Sequence, residues 1–327
     1  MKVLVTGASG MLGRATALAL VDRGDDVCVL QRRPSGLRCR EVLGDVADPV
    51  AVRRAATGRE AVVHLAAKVD VVGRWPDYVT ANIEGTRTVL DACRRQGVGR
   101  LVHVSSPSVA HAGRPLVGVG AEAADPAMAR GHYARSKAVA ERLALSADAA
   151  ALAVLVVRPH LVWGPGDTQL VARIVARARA GRLPLLGRGT ALVDTTYVDN
   201  AVTALVAAVD ANAHGEPLVV SNGEPRPVRE VLTRLCRAAG APAPRIAVPA
   251  RLARLTGAVV DAAWAVTGRQ DVPPITRFLA EQLTTAHWFD QRRTREALGW
   301  TPDVGLDAGF ARLAEWYATG EPPLRPR

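Results

Sequence analysis

The chain has 327 residues, a net charge of +11, and 49% hydrophobic residues against only 4% aromatics. That length exceeds what one compact core usually holds, so a large domain with a smaller appendage is expected. The charge does not point to nucleic acid: of 42 basic residues only Lys2, Lys68 and Lys137 are lysines, and the arginines are scattered rather than gathered into a tract with interleaved aromatics.

Val3–Thr6 reads as a buried strand, followed by a glycine-rich turn and a helix near Met11–Arg23. Strands are expected at Asp26–Leu30 and Arg40–Leu43, a helix near Pro49–Ala56, and a strand at Ala61–Leu65. A helix near Tyr78–Gln96 and a strand at Arg100–Ser105 follow. The continuous Val/Leu runs suit parallel strands buried on both faces, and their alternation with helices predicts βαβ units. A helix around Tyr133–Ala147 leads to another buried strand, Ala153–Val157. Beyond it Pro159, Pro165, Pro184 and many glycines break the pattern, with a late strand at Leu218–Val220. From about Asn222 to His287 the chain alternates proline-rich turns with helical runs.

These elements predict an α/β fold: a doubly wound parallel sheet with a smaller C-terminal domain. Residues 1–160, with returning segments near 190–221, form the larger domain in this reading. Residues 161–189 and 222–327 mainly form the smaller one. The segment Arg251–Thr267 is nearly apolar and suits either a helix of the small domain or one lying on a membrane or partner.

Cys28, Cys39, Cys93 and Cys236 make neither a CxxC pair nor a disulfide framework, so reduced thiols in a cytoplasmic protein are expected. The seven histidines form no HxxxH or HxH pair, so no metal site is expected. Met1 leads almost directly into a strand, and no run of 18 uncharged apolar residues occurs. Neither a secretory leader nor an integral membrane segment is expected.

Thr6-Gly7-Ala8-Ser9-Gly10-Met11-Leu12-Gly13 places a GxxGxxG spacing between an apolar strand and an apolar helix. Gly7 would make the tight turn, Gly10 would admit a pyrophosphate to the backbone, and Gly13 would pack the helix on the strand. An NAD site usually carries an acidic residue at the end of the second strand; here that strand ends in Gln31-Arg32-Arg33. Two guanidiniums where a 2′-phosphate would lie favour NADPH (NADP+) over NADH. Asp45 and Val46 would flank the adenine, and Ala66 and Ala67 would line the cofactor's path.

Tyr133-Ala134-Arg135-Ser136-Lys137 is a YxxxK, which sets Tyr and Lys one turn apart on one helix face. A nearby ammonium is expected to lower the phenol pKa, letting Tyr133 trade a proton with a carbonyl or alcohol. Ser105 and Ser106 end the fifth strand, where a hydroxyl could share the charge developing on that oxygen.

These residues resemble the extended short-chain dehydrogenase/reductase superfamily in its 3β-hydroxysteroid dehydrogenase/isomerase branch. The likeness spans nearly the whole chain and includes Gly44-Asp45-Val46, His64-Leu65-Ala66-Ala67, Ala81-Asn82-Ile83-Glu84-Gly85-Thr86, Arg158-Pro159, Trp163–Asp167, Thr196–Ala201, Ser221–Glu224 and Leu298-Gly299-Trp300. Within the branch, Ala66–Gly73, Ser105–Val109, Arg158–Asp167 and Phe278–Phe289 are most similar to bacterial 2-alkyl-3-oxoalkanoate reductases of olefin and β-lactone pathways.

The resemblance implies a Rossmann-type fold and a catalytic trio of Ser106, Tyr133 and Lys137, with Asn82 in support and Ser105 as the other candidate serine. It implies cofactor contacts from Gly7, Ser9, Gly10, Met11, Leu12, Gln31, Arg32, Arg33, Asp45, Val46, Leu65, Ala66, Ala67, Ser105, Tyr133 and Lys137. Pro159, His160 and Leu161 would border the nicotinamide, with His160 either touching substrate or simply packed. The expected partner is a small, apolar carbonyl compound, and the expected assembly a homodimer through the helices around Tyr78–Gln96 and Tyr133–Ala147. Rival activities are 3β-hydroxysteroid dehydrogenation and sugar-nucleotide epimerisation or dehydration. An NADP-sensing regulatory protein is the non-enzyme rival, and the intact Tyr133/Lys137 pair speaks against it.

Overall fold

The computed structural model describes residues 1–70, 73–111, 113–267, 273 and 275–320. Val71 and Val72, part of the Ala66–Gly73 likeness, and residues 321–327 lie outside the described residues. Seven parallel strands form the main sheet: β1 (Lys2–Thr6), β2 (Asp26–Gln31), β3 (Arg40–Leu43), β4 (Ala61–His64), β5 (Arg100–Val104), β6 (Ala153–Pro159) and β7 (Glu216–Val220). Their order is β3-β2-β1-β4-β5-β6-β7, so the winding reverses between β1 and β4. That reversal opens a crevice at the carboxyl ends of the strands, where doubly wound folds take their ligands.

Strand periodicity divides the core between the two faces of the sheet. Leu4, Cys28, Val62, Leu101, Val154 and Val156 point one way, under α2 (Pro49–Ala56), α3 (Gly85–Gln96) and α4 (Gly131–Leu145). Val3, Val5, Val29, Val63, Val102, Leu155 and Val157 point the other way, under α1 (Met11–Asp22). Leu205 and Ala208 of a helix at Val198–Asp210 join that second layer. Both faces are therefore covered, which is why the strands read as unbroken apolar runs.

The helix expected over Tyr78–Gln96 is three pieces. Trp75–Tyr78 is α-helical, Val79–Glu84 is a π-turn, and α3 begins at Gly85. Gly85 sits against Val46, where a Cβ would come within 2.7 Å of Val46 Cγ1. Thr86 Oγ1 bonds back to Asn82 O at 2.7 Å, and the widened turn buries Asn82.

The loosely patterned stretch after β6 is more ordered than its prolines suggest. It holds helices at Val171–Arg179 and Val198–Asp210 and several two-residue strands. A four-stranded sheet joins Arg226–Pro227, Leu192–Val193, His287–Phe289 and Leu116–Val119. None of these short strands has a local partner, so their sequences carry no hairpin signal. Behind them Trp163 stacks on Phe310 at 4.5 Å and meets Tyr197 edge-on at 5.4 Å, anchoring a third core with Val175, Leu232 and Leu313.

The apolar segment forms a helix at Ala250–Thr267. Gly257 permits close contact with the helix Arg277–Thr284, since a Cβ there would lie 2.6 Å from Arg277 N. Asp261 accepts a bond from that same N–H at 3.0 Å. Leu252, Leu255, Val259 and Val266 on the same helix are exposed. No helix among the described residues is long and apolar enough to cross a membrane.

Candidate active site

The glycine-rich turn is shaped by close backbone approaches. Gly7 has φ +79°, and a Cβ there would lie 2.7 Å from Ala66 N; a Cβ at Gly13 would lie 2.4 Å from Gly7 O. Gly10 differs, because its added Cβ would meet nothing nearer than Gly7 O at 3.6 Å. Its missing side chain frees the outer side of the turn. α1 begins after Gly10 with no side-chain cap, so the N–H groups of its first turn face outward with the positive end of the helix dipole. Ser9 and Gly10 are exposed, and Met11 and Leu12 are half-buried beside them. A dinucleotide pyrophosphate fits this cradle.

At the end of β2, Gln31 is buried and its Nε2 donates to Glu41 Oε1 at 2.6 Å. Its own Oε1 is left without a partner. Glu41 also accepts from Ser35 N at 2.8 Å. Burial works to raise the Glu41 carboxyl, but the bonds from Ser35 and Gln31 hold it below its ordinary value. Sequence reading missed Glu41, which lies ten residues on and reaches the site only through β2–β3 pairing. Arg32 and Arg33 are exposed and form no ion pair with any described residue. Asp45 is exposed and caps its own turn through Ala47 N at 2.9 Å, while Val46 packs under Gly85. Leu65, Ala66 and Ala67 are half-buried beyond β4, with Ala66 N bonded to Thr6 Oγ1 at 3.2 Å.

Register brings the acid–base residues to the same edge of the sheet. Val104 pairs with Val157, so Ser105 and Ser106 leave β5 beside Pro159 and His160. Ser105 is buried with its hydroxyl unpartnered. The Ser106 hydroxyl lies near the Tyr133 phenol and accepts from Ser108 Oγ at 3.0 Å. Lys137, one turn along α4, donates through Nζ to Val104 O at 2.6 Å and lies 3.5 Å from His103 Nε2. Asn82 stands behind the trio: it accepts from Lys68 N at 2.7 Å and donates to Ser136 Oγ at 2.8 Å.

The electrostatics differ from the sequence expectation. Burial pushes the Tyr133 phenol up, and the nearby Ser106 hydroxyl opposes it in part; Lys137 does not lower it. The ammonium is turned to the β5 carbonyl, and burial brings its own pKa down to about 8.

The residues 3–221 match the family model described as "NAD dependent epimerase/dehydratase family". This chain belongs to that family. Two curated relatives are 2-alkyl-3-oxoalkanoate reductases. The one from Stenotrophomonas maltophilia is 43% identical over 96% of this chain and 98% of its own. The one from Shewanella oneidensis is 35% identical over 94% and 84%. A 3-beta-hydroxysteroid dehydrogenase from Mycolicibacterium neoaurum is 27% identical over 97% and 91%. Among solved structures, MoeE5 in complex with UDP-glucuronic acid and NAD matches with a TM-score of 0.75 at 27% identity, over 98% of this chain and 100% of that one.

As a member of this extended short-chain dehydrogenase/reductase family, the protein is an oxidoreductase that uses a nicotinamide cofactor. Two features of the site go beyond the family motifs read from the sequence. Leu161 has φ +44°, and among the described residues it alone combines a side chain with the left-handed region. Strain of that kind collects at ligand sites, and this one lies directly past the end of β6.

The second is a cluster of buried histidines. His160 Nε2 lies 2.9 Å from His287 Nδ1, and His287 Nε2 lies 2.6 Å from Gln282 O. A carbonyl can only accept, so His287 carries its proton on Nε2 and His160 donates to His287. His160 is thus packed against His287 and Phe289. Their neighbour His111 has both ring nitrogens unpartnered.

Burial drives these imidazoles towards their neutral form. His287 falls to about 4, His64 to about 3, and His103 and His160 well below 6.5. Between pH 6.5 and these depressed values the unfolded chain binds protons that the folded chain refuses. The stability tied to neutral histidines is therefore complete above about pH 6.5 and is lost as pH falls through the folded values. The melting temperature should drop steadily from pH 6.5 to 4 in a calorimetric series. A flat melting temperature across that window would show that these imidazoles are not buried in the neutral form.

Proposed function

We propose that this oxidoreductase transfers a hydride from NADPH to the 3-keto carbon of a 2-alkyl-3-oxoalkanoate, giving the 3-hydroxy acid. The observation that carries the reading is Lys137 Nζ on Val104 O at the carboxyl end of β5, with Tyr133 one turn before it on the same helix and Ser106 close by, where the carboxyl ends of β5 and β6 meet. The likeness to the two 2-alkyl-3-oxoalkanoate reductases supports a 2-alkyl-3-oxo acid as the carbonyl compound.

In this mechanism the cofactor supplies the hydride. Ser106 donates a hydrogen bond to the substrate oxygen, and Tyr133 gives that oxygen a proton as C3 gains the hydride. A phenol with a raised pKa is protonated at neutral pH, which suits reduction better than oxidation. Lys137, anchored on Val104 O, would hold the nicotinamide ribose when the cofactor is bound. Asn82 positions α4 through Ser136. Residues 1–160 with 190–221 hold the cofactor, and 161–189 with 222–327 hold the alkyl chains. The Ala/Val/Leu-rich composition of Pro249–Val266 favours a greasy substrate over a sugar nucleotide. In this reading the protein works in the cytoplasm as a homodimer.

The test is NADPH oxidation across 2-alkyl-3-oxo acids, 3-ketosteroids and UDP-sugars. Turnover restricted to the steroids or the UDP-sugars overturns the substrate assignment. NADPH preference rests on the exposed, unpaired Arg32 and Arg33. Arg32→Ala and Arg33→Ala should each raise the KM for NADPH about tenfold, the worth of one charge-assisted contact, and leave that for NADH unchanged. An equal loss with both cofactors, or none with either, rules out a 2′-phosphate contact.

A further inference from the structure

Lys137 is a charged side chain only 3% exposed, and the groups packed around it offer little to hold its proton. On β5 its neighbours are the Val104 carbonyl and His103, a buried imidazole that stays neutral. On β4 lies His64, in ring contact with His103 and likewise neutral. On its own helix the groups on the same face are Tyr133, a neutral phenol, and Glu141, one turn further on, while His132, Arg135 and Arg142 are exposed to solvent. Glu141 is fully buried, with no exposed surface at all. Its carboxylate is gripped by Arg158 of β6, through Nε at 2.9 Å and through Nη2. Arg158 is itself anchored by Nη1 on Glu122 O at 2.7 Å.

A buried carboxylate is costly, and a buried Arg–Glu pair is no better for stability than apolar residues of the same volume. The pair therefore calls for a reason other than stability. Tyr133, Lys137 and Glu141 recur every four residues along α4, so Glu141 faces Lys137 from the side away from the phenol. Arg158 reaches Glu141 from the neighbouring strand and holds its side chain in place.

We propose that Glu141, clasped by Arg158, is the positioning residue that keeps Lys137 an ammonium inside the fold and thereby sets the alkaline limit of carbonyl reduction. The proposal rests on the Tyr133/Lys137 reading given above. It also predicts a property of Lys137 that exists without substrate. Of the influences on the ammonium, burial lowers its pKa and Glu141 raises it, leaving it at about 8. Removal of the Glu141 charge alone would leave Arg158 a buried cation without its carboxylate partner.

Three lysines make the test direct, because protein labelled with [ε-13C]lysine gives three side-chain signals, assignable with Lys2→Arg and Lys68→Arg. In the wild type the Lys137 signal should titrate with a midpoint near 8. In Glu141→Gln the midpoint should fall by about one unit or more, the usual effect of losing one close opposite charge. The double variant Glu141→Gln/Arg158→Met removes the stranded cation and so protects folding. Its midpoint should fall as well, but by less. The alkaline limb of kcat should move with the midpoint in each variant, whereas a merely structural role would change only the melting temperature. A wild-type midpoint in either folded variant overturns the proposal. A shifted midpoint in a protein that reduces no tested carbonyl would uphold the charge pairing and sink the reductase reading instead.

Discussion

Tyr133→Phe should bind NADPH as the wild type does and lose about 10²- to 10⁴-fold in carbonyl reduction, the span that a positioned general acid contributes. Phe keeps the aromatic ring and deletes only the hydroxyl that would carry the proton. Lys137 stays anchored on Val104 O, so the ribose contact proposed for it is left intact. Cofactor fluorescence titration and single-turnover NADPH oxidation separate the two effects. Near wild-type turnover by the variant would remove Tyr133 from the mechanism. Burial raises the Tyr133 phenol, so the phenolate needed for alcohol oxidation should be scarce at neutral pH. The wild type should accordingly reduce ketones faster than it oxidises the product alcohols, and oxidation should improve as pH rises.

Gly13→Ala should abolish dinucleotide binding and destabilise the fold by about 1–3 kcal/mol, the range for overpacking a close contact. The added Cβ would sit 2.4 Å from the backbone oxygen of Gly7, so α1 has to withdraw from the turn it completes. Gly10→Ala is the matched control. Its Cβ meets nothing closer than 3.6 Å, so the protein should keep its melting temperature, yet the methyl group enters the path of a pyrophosphate. Binding without stability should be lost in one variant, and both in the other. A wild-type melting temperature for Gly13→Ala would mean that the turn is slack rather than close-packed.

Much of the main sheet is legible in the sequence. Strands buried on both faces leave unbroken runs such as Val3–Thr6 and Ala153–Val157, and glycine turns and helices punctuate them. The glycine spacing and the YxxxK are local patterns, readable because each works within one turn or one helix. The short strands around Leu192–Val193 and His287–Phe289 are not legible, because each finds its partners only across long stretches of chain. The π-turn at Val79–Glu84 is hidden for a similar reason. It depends on Gly85 meeting Val46 from a different βα unit.

The sequence by itself determined the doubly wound sheet, the phosphate-binding turn and the Tyr–Lys pair, since period, spacing and residue type encode all three locally. Only the tertiary structure decided the charges around them. It set Ser106 close to Tyr133, brought Glu41 to Gln31, and joined His160 to His287. It also raised Tyr133 instead of lowering it and placed a buried Glu141–Arg158 pair behind Lys137. Desolvation and charge pairing depend on what lies opposite a side chain in space, and neighbours brought together from distant parts of the chain leave no pattern along it.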